Sequence, residues 1–304
     1  MVAAQVLTTE AIAMIVSRRL FLSLMLLSAC TAKSSSNSGS GSLLVGVVSY
    51  EEGSKTLEQY DRFKRYFSEK MQALIELEPA LNENKALDRV QNRAWSLVFA
   101  PPGLAAIAIS QYQYAPLFPL IGVQNRRSML VVREDSPIQE ISAISGKTLA
   151  LGNPGSATGF YFPLFNLYGL TLAELVLSAT PKAVLDAVIQ GKADVGALSL
   201  EEFETYKTQV AQTKLRVLFT DSHQVPSGAI LVSPKLDRNV QERIRKVLSE
   251  ASSVVAEEAG FITNASVPDY QYMTSVVERV RSIFPGDTKE SVALLQQKPV
   301  RLFK

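Results

Sequence analysis

Between residues 152 and 159 the chain reads Gly-Asn-Pro-Gly-Ser-Ala-Thr-Gly, with the hydroxyls of Ser156 and Thr158 two positions apart and Ala157 between them. A helix expected from about Phe160 would begin with unpaired N–H groups and a partial positive charge. Hydroxyl donors beside such a start suit a tetrahedral oxyanion, held by Ser156, Ala157, Thr158 and Gly159 without help from Lys or Arg. The competing reading is structural: Ser156 and Thr158 do no more than cap the helix. A nucleotide-binding P-loop is excluded, because no Gly-Lys-Ser/Thr follows Gly155.

Little else in the chain is equipped for chemistry. With one Cys and one His in 304 residues, neither a disulfide framework nor a multi-cysteine zinc site can form. His223 sits in a loop, and no nucleophile–base pair or metal cluster is visible, so an enzyme, a metal and a cofactor are all unexpected. Lys and Arg number 31 against 29 Asp and Glu, a balance too even for a nucleic-acid partner. The 47% hydrophobic content supports sizeable cores, and the length fits two domains.

The elements that must position the loop follow an alternating order. Leu43 to Val48 and Ser96 to Ala100 read as buried strands. Apolar residues at 60, 63, 67, 71 and 74 make a helical stripe between them, and a short helix is expected from Leu87 to Ala94. Pro101-Pro102-Gly103 reads as a break. Strands are expected at Ser128–Arg133, Lys147–Leu151, Asp194–Leu198, Arg216–Phe219 and Ala229–Val232. Thr180-Pro181 starts a helix that Gly191 stops, and Ser199 with Glu202 forms a capping box. The tail reads as a long helix from about Asp237 to Glu258, ended by Gly260, and another from about Tyr270 to Ile283. This is the signature of an α/β fold.

Gly-Ser-Ala-Thr-Gly-Phe-Tyr-Phe-Pro-Leu (155–164) followed by Gly-Lys-Ala-Asp-Val-Gly-Ala-Leu (191–198) resembles the periplasmic phosphonate- and phosphite-binding proteins of ABC importers. The resemblance covers nearly all of the chain from Leu43 to Ile283. It implies the two-lobed type 2 periplasmic-binding fold, with two crossover strands and a ligand cleft between lobes. Lobe one would be residues 43–127 with 228–304, lobe two 128–227, and Ser128–Arg133 and Gly228–Ser233 the crossovers. Tyr50 and Pro102 lie after strand ends, where open α/β sheets bind ligands. Ser199 and Glu201 stand where the family places a polar or acidic residue toward the ligand, while Asp194 reads as a structural partner near a strand end. Relatives often carry an aromatic residue near Leu104, a departure that argues against an aminoalkylphosphonate. The implied function is capture of a phosphonate, phosphite or phosphate by a monomer and delivery to an ABC permease. A second class, a sensor of the same fold that signals to a membrane-bound kinase, is not separated by anything in the chain.

At the other end, Ser17-Arg18-Arg19 precedes a run of about ten apolar residues, half of what a spanning helix requires, in the layout of a signal peptide. The Arg pair resembles the twin-arginine export consensus but also occurs in ordinary secretory signals. Leu27-Ser28-Ala29-Cys30 resembles a bacterial lipobox, which makes residues 1–30 a signal ending at a lipid-modified Cys30. Residues 31–42 then form a flexible Ser/Gly tether to a lipid-anchored periplasmic body. Removing residues 1–29 leaves 29 basic and 28 acidic side chains, an almost neutral mature protein. Cys30→Ala should therefore release the protein from membranes or leave its signal uncleaved in a cell fractionation; a processed, membrane-bound variant would exclude this anchor.

Overall fold

The apolar run that opens the body becomes β1 (Ser42–Val48), buried or half-buried on both faces. A computed structural model describes residues 41–48, 57–81, 83–122, 126–208, 215–284 and 298–303, and Ser40–Lys304 form one unit. The signal segment, Cys30, the tether up to Ser40 and Tyr50 lie outside the described residues.

After a 3-10 turn at Leu57–Tyr60, α1 (Asp61–Met71) buries Phe63, Phe67 and Met71 on one face. Leu74 does not extend that stripe as its spacing predicts: it is exposed, and it opens β2 (Leu74–Ala80). Ile75-Glu76-Leu77-Glu78 alternates with the period of a strand that has one face toward water. Helix α2 (Glu83–Gln91) and β3 (Leu97–Ala100) follow. Pro101 and Pro102 do not merely break the chain, because Pro102 is the first residue of α3 (Pro102–Tyr112). A proline fits there, where the missing N–H would have had no helical partner. Gly103 to Ala108 are all buried, so no amphipathic pattern announces this helix. β4 (Ala115–Pro119) completes the first pass.

β5 (Ser128–Arg133), β6 (Thr148–Leu151), a π-helical turn at Ala157–Tyr161 continuing into α4 (Phe162–Asn166), β7 (Thr171–Leu172) and β8 (Glu174–Leu177) come next. They are followed by α5 (Pro181–Ile189), β9 (Val195–Ser199), α6 (Leu200–Tyr206), β10 (Leu215–Thr220) and β11 (Ala229–Val232). The expected long tail helix is two, α7 (Arg238–Ser249) and α8 (Ser253–Ala259), because Ser252 stops the first and caps the second through its hydroxyl on the Val255 N–H. α9 (Gln271–Ile283) and β12 (Val300–Arg301) end the described chain.

One sheet has the order β2-β1-β3-β11-β4 and the other β10-β5-β9-β6-β8. In the first, β1 is parallel to β2 and β3, and β11 is antiparallel to both β3 and β4. The strands expected to cross, β5 and β11, each lie within a single sheet. The crossings are instead the flanking segments, whose described residues, 120–122 with 126–127 and 221–228, pair antiparallel. Leu120 N–H donates to Gly228 O, Val225 N–H to Arg126 O and Asp221 N–H to Ser128 O, each at 2.8 Å. Nor does the tail stay entirely with the first sheet, since β12 pairs with β7. Met273, Val276, Val277 and Val280 of α9 join Leu104 of α3, Phe162 of α4 and strand residues of both sheets in one buried cluster.

Gly228 sets how closely the second crossing approaches β3. A Cβ placed there would lie 2.3 Å from the Ala100 carbonyl oxygen and 3.2 Å from Pro101 Cα, both backbone atoms. Gly122, on the other crossing, would meet only Ser227 Cβ at 3.7 Å. Gly228→Ala should destabilise the protein by about 1–3 kcal/mol in urea unfolding, as overpacking does, while Gly122→Ala stays near wild type. Equal midpoints for the two variants would show that the crossing is not held this tightly.

Candidate functional site

β6 delivers the chain into the loop on which the sequence places the site. Gly152 N–H donates to Gly159 O at 2.9 Å, closing the loop on itself, and Gly155 takes φ 98°, a conformation that favours glycine. The helix begins at Ala157 rather than Phe160, so Ser156 is its cap. The Ser156 hydroxyl accepts from Gly159 N–H at 3.0 Å, and its carbonyl accepts from Phe160 and Tyr161 N–H at 3.1 and 3.0 Å. The structural and ligand readings of the two hydroxyls thus divide. Ser156 caps; Thr158, 1% exposed, keeps an Oγ1 with no hydrogen-bond partner. A buried hydroxyl is ordinarily paired, because leaving it unpaired costs about 1–3 kcal/mol.

The first crossing fixes this helix start from the other side. Ser128, also buried, donates from Oγ to Thr158 O at 2.7 Å. Across from it stands the start of α3: a Cβ on Gly103 would lie 3.0 Å from both Gly155 O and the Tyr161 ring. Two helix beginnings therefore converge, one from each sheet, with Pro102 half-buried at the edge. The second crossing is held by Tyr270, whose hydroxyl donates to Ser227 O at 2.6 Å. Burial raises the Tyr270 phenol well above its ordinary pKa, which keeps that donor protonated.

Ser199 is fully buried and committed to its capping box: Oγ accepts from Glu202 N–H at 3.1 Å, and its N–H donates to Glu202 Oε2 at 2.7 Å. Glu201 is exposed in the first turn of α6, and its Oε2 lies 3.8 Å from Arg126 Nε. Asp194 accepts from Thr148 N–H at 2.8 Å, the structural role its position suggests. His223 packs its ring on Tyr272 at 3.9 Å and donates its N–H to buried Asp221 at 2.7 Å; Asn166 donates to the same carboxylate. Burial, and then the Asp221 charge, raise the Tyr272 phenol. These groups brace the second crossing against α4 and α9. Among the described residues no cluster of His, Cys, Asp or Glu could hold a metal ion.

Arg126 is the group that reading 152–159 alone does not find. It lies two residues before Ser128, on the crossing, and lines a cavity of about 180 Å³ with Pro101, Pro102, Ser227 and Gly228. A cavity of about 150 Å³ takes a six-carbon ring, so this volume suits an oxyanion of five or six heavy atoms. The Arg126-Arg127 pair directly before a strand was the available signal. A smaller recess of about 30 Å³ is lined by Asn153, Ser156, Gly159, Thr180 and Glu202.

A family model described as the periplasmic substrate-binding protein of phosphonate ABC transporters matches residues 45–269. Among solved structures, a Xanthomonas citri protein bound to ATP superposes with a TM-score of 0.65 at 22% identity, over 80% of this chain and 99% of that one. A binding component of a phosphonate ABC transporter from Pseudomonas aeruginosa gives 0.59 at 14% identity, over 84% and 93%. PhnD1 of Prochlorococcus marinus, solved with methylphosphonate, gives 0.55 at 15% identity, over 80% and 99%. The architecture is the two-lobed type 2 periplasmic-binding fold.

Because Thr158 Oγ1 is buried without a partner, removing it should not weaken the fold. Thr158→Val is expected to unfold at the same urea concentration as wild type or a higher one, the relieved cost being of order 1 kcal/mol. A loss of more than about 1 kcal/mol would mean that the hydroxyl supports the folded protein through a partner.

Proposed function

The chain belongs to the periplasmic substrate-binding proteins of phosphonate ABC transporters, and from that premise we propose that it captures a small phosphorus oxyanion between its lobes and delivers it to an ABC permease. It is a binding protein, not an enzyme. The ligand is a phosphonate, phosphite or phosphate; the protein works as a monomer, held to a membrane by lipid on Cys30. Among the described residues no helix is long and apolar enough to cross a membrane.

The observation that carries the ligand class is the partnerless Thr158 Oγ1 in the first turn of a helix whose cap, Ser156, is already engaged. The unpaired N–H groups of a helix start and a buried donor beside them are complementary to phosphoryl oxygens. The Ser156 oxygen accepts from Gly159 N–H, which leaves its own proton available to donate. The methylphosphonate bound to the Prochlorococcus protein gives a first ligand to try.

Calorimetric titration of the wild type with methylphosphonate, phosphite and phosphate should give saturable binding to at least one. A hydrogen bond to a charged partner is worth about 1.5–3 kcal/mol, so Thr158→Val should weaken that binding roughly ten- to a hundredfold. Ser156→Ala should weaken it similarly and also lower stability by about 1 kcal/mol through the lost cap. Folded variants that bind as tightly as wild type would place the anion elsewhere.

A further inference from the structure

We propose that Ser128 is a positioning residue for the ligand: from the first crossing its hydroxyl holds the Thr158 peptide, and so aims the partnerless Thr158 hydroxyl at the bound oxyanion. The inference rests on the binding function proposed above and adds the residue that prepares the site before the ligand arrives.

The argument turns on where the Thr158 carbonyl finds its donor. A carbonyl in the first turn of a helix is taken by an N–H three, four or five residues further on. Here Tyr161 N–H donates to Ser156 O at 3.0 Å and Phe162 N–H to Ala157 O, while residue 163 is a proline with no N–H to give. The π-helical turn and Pro163 together thus leave the Thr158 carbonyl without a donor from its own helix. Ser128 Oγ supplies one, at 2.7 Å and buried. A buried carbonyl requires such a partner, so the contact is built into the helix start.

Ser128 is itself held from two directions. It stands opposite Ser199 in the ladder of β5 with β9, and its carbonyl accepts from Asp221 N–H of the second crossing at 2.8 Å. It therefore sets the helix start rather than following it. Thr158 is β-branched, so few side-chain rotamers remain once its backbone is set. A helical threonine hydroxyl often settles on a carbonyl of the preceding turn, but Thr158 Oγ1 has no partner. The direction of that hydroxyl follows from the backbone beneath it, and Ser128 holds the backbone at its carbonyl. A donor placed in advance loses less freedom on binding than one the ligand must order.

A double-mutant cycle of Ser128→Ala and Thr158→Val in the mature protein, titrated calorimetrically with methylphosphonate, phosphite and phosphate, tests this. Ser128→Ala should weaken binding about three- to tenfold and lower the urea midpoint, since a buried carbonyl loses its donor. In the Thr158→Val background it should lower the midpoint as before but weaken binding by no more than about twofold, because the hydroxyl it positions is gone. Ser128→Thr, which keeps the hydroxyl, should recover most of the affinity. Ser128→Cys fills the same volume with a weak donor and should bind as Ser128→Ala does, which covers an alanine variant too unstable to titrate. A folded Ser128→Ala protein that binds as tightly as wild type would overturn the proposal. So would an equal loss with and without the Thr158 hydroxyl, the result expected if the whole helix start were merely displaced. If Thr158→Val weakens binding and Ser128→Ala does not, the inference fails and the site stands. A wild type that binds none of the three anions overturns both.

Discussion

A chain that passes from one sheet to another takes its backbone N–H and C=O groups out of one ladder before they reach the next, and buried groups of this kind must be paired. Here the two crossings pair with each other. Leu120 with Gly228, Arg126 with Val225 and Ser128 with Asp221 form a short antiparallel ladder between the sheets. Much of the site follows from that ladder. It brings Gly228 against Ala100 and Pro101, holds Arg126 over the cavity, and places Ser128 within reach of the Thr158 carbonyl. Tyr270 on Ser227 and Asn166 on Asp221 then fasten the ladder to helices on either side.

The loop at residues 152–159 shows how one short segment serves both fold and ligand. Gly155 supplies the positive φ, Gly159 the close approach to Gly152, and Ser156 the cap. Only Thr158 has a polar side-chain atom that the fold leaves unused. Burial makes that costly, and an unpaired buried hydroxyl is consistent with a group reserved for something other than folding. Ser199 is the contrast: it too is buried and polar, but its hydroxyl oxygen accepts from Glu202 N–H and its own N–H donates to the Glu202 carboxylate.

Strands buried on both faces were legible in the sequence, because Leu43 to Val48, Met129 to Val132 and Ala229 to Val232 are continuous runs without a polar side chain. So were the capped helices, since Thr180-Pro181 and Ser199 with Glu202 are local signals whose geometry the structure repeats. Elements whose pattern depends on distant neighbours were not legible. α3 is apolar on every side because α9, α2 and the 157–161 turn surround it, and β2 carries glutamates because it lies at an edge. The π-helical turn moves the helix start from Phe160 to Ala157, which makes Ser156 the helix cap in addition to a ligand candidate. Arg126 acquires meaning only when a crossing 100 residues further on closes the cavity beside it.

The placement of β11 has a consequence for the order in which the molecule can be assembled. The sheet built from β5, β6, β8, β9 and β10 draws on one uninterrupted stretch, Ser128 to Thr220, and its ladders can form as soon as that stretch is available. The other sheet cannot close from its own N-terminal stretch. β3 and β4, close in sequence, are joined only through Ala229–Val232, which arrives more than a hundred residues later. Until then each presents an unpaired edge, the kind of surface that recruits other chains. Loop closure over that distance is slow compared with local pairing. A polypeptide emerging from its amino end would thus complete the inserted half first and use it as a staple to bring β11 home, leaving β3 and β4 exposed as the interval in which the nascent protein most needs a chaperone.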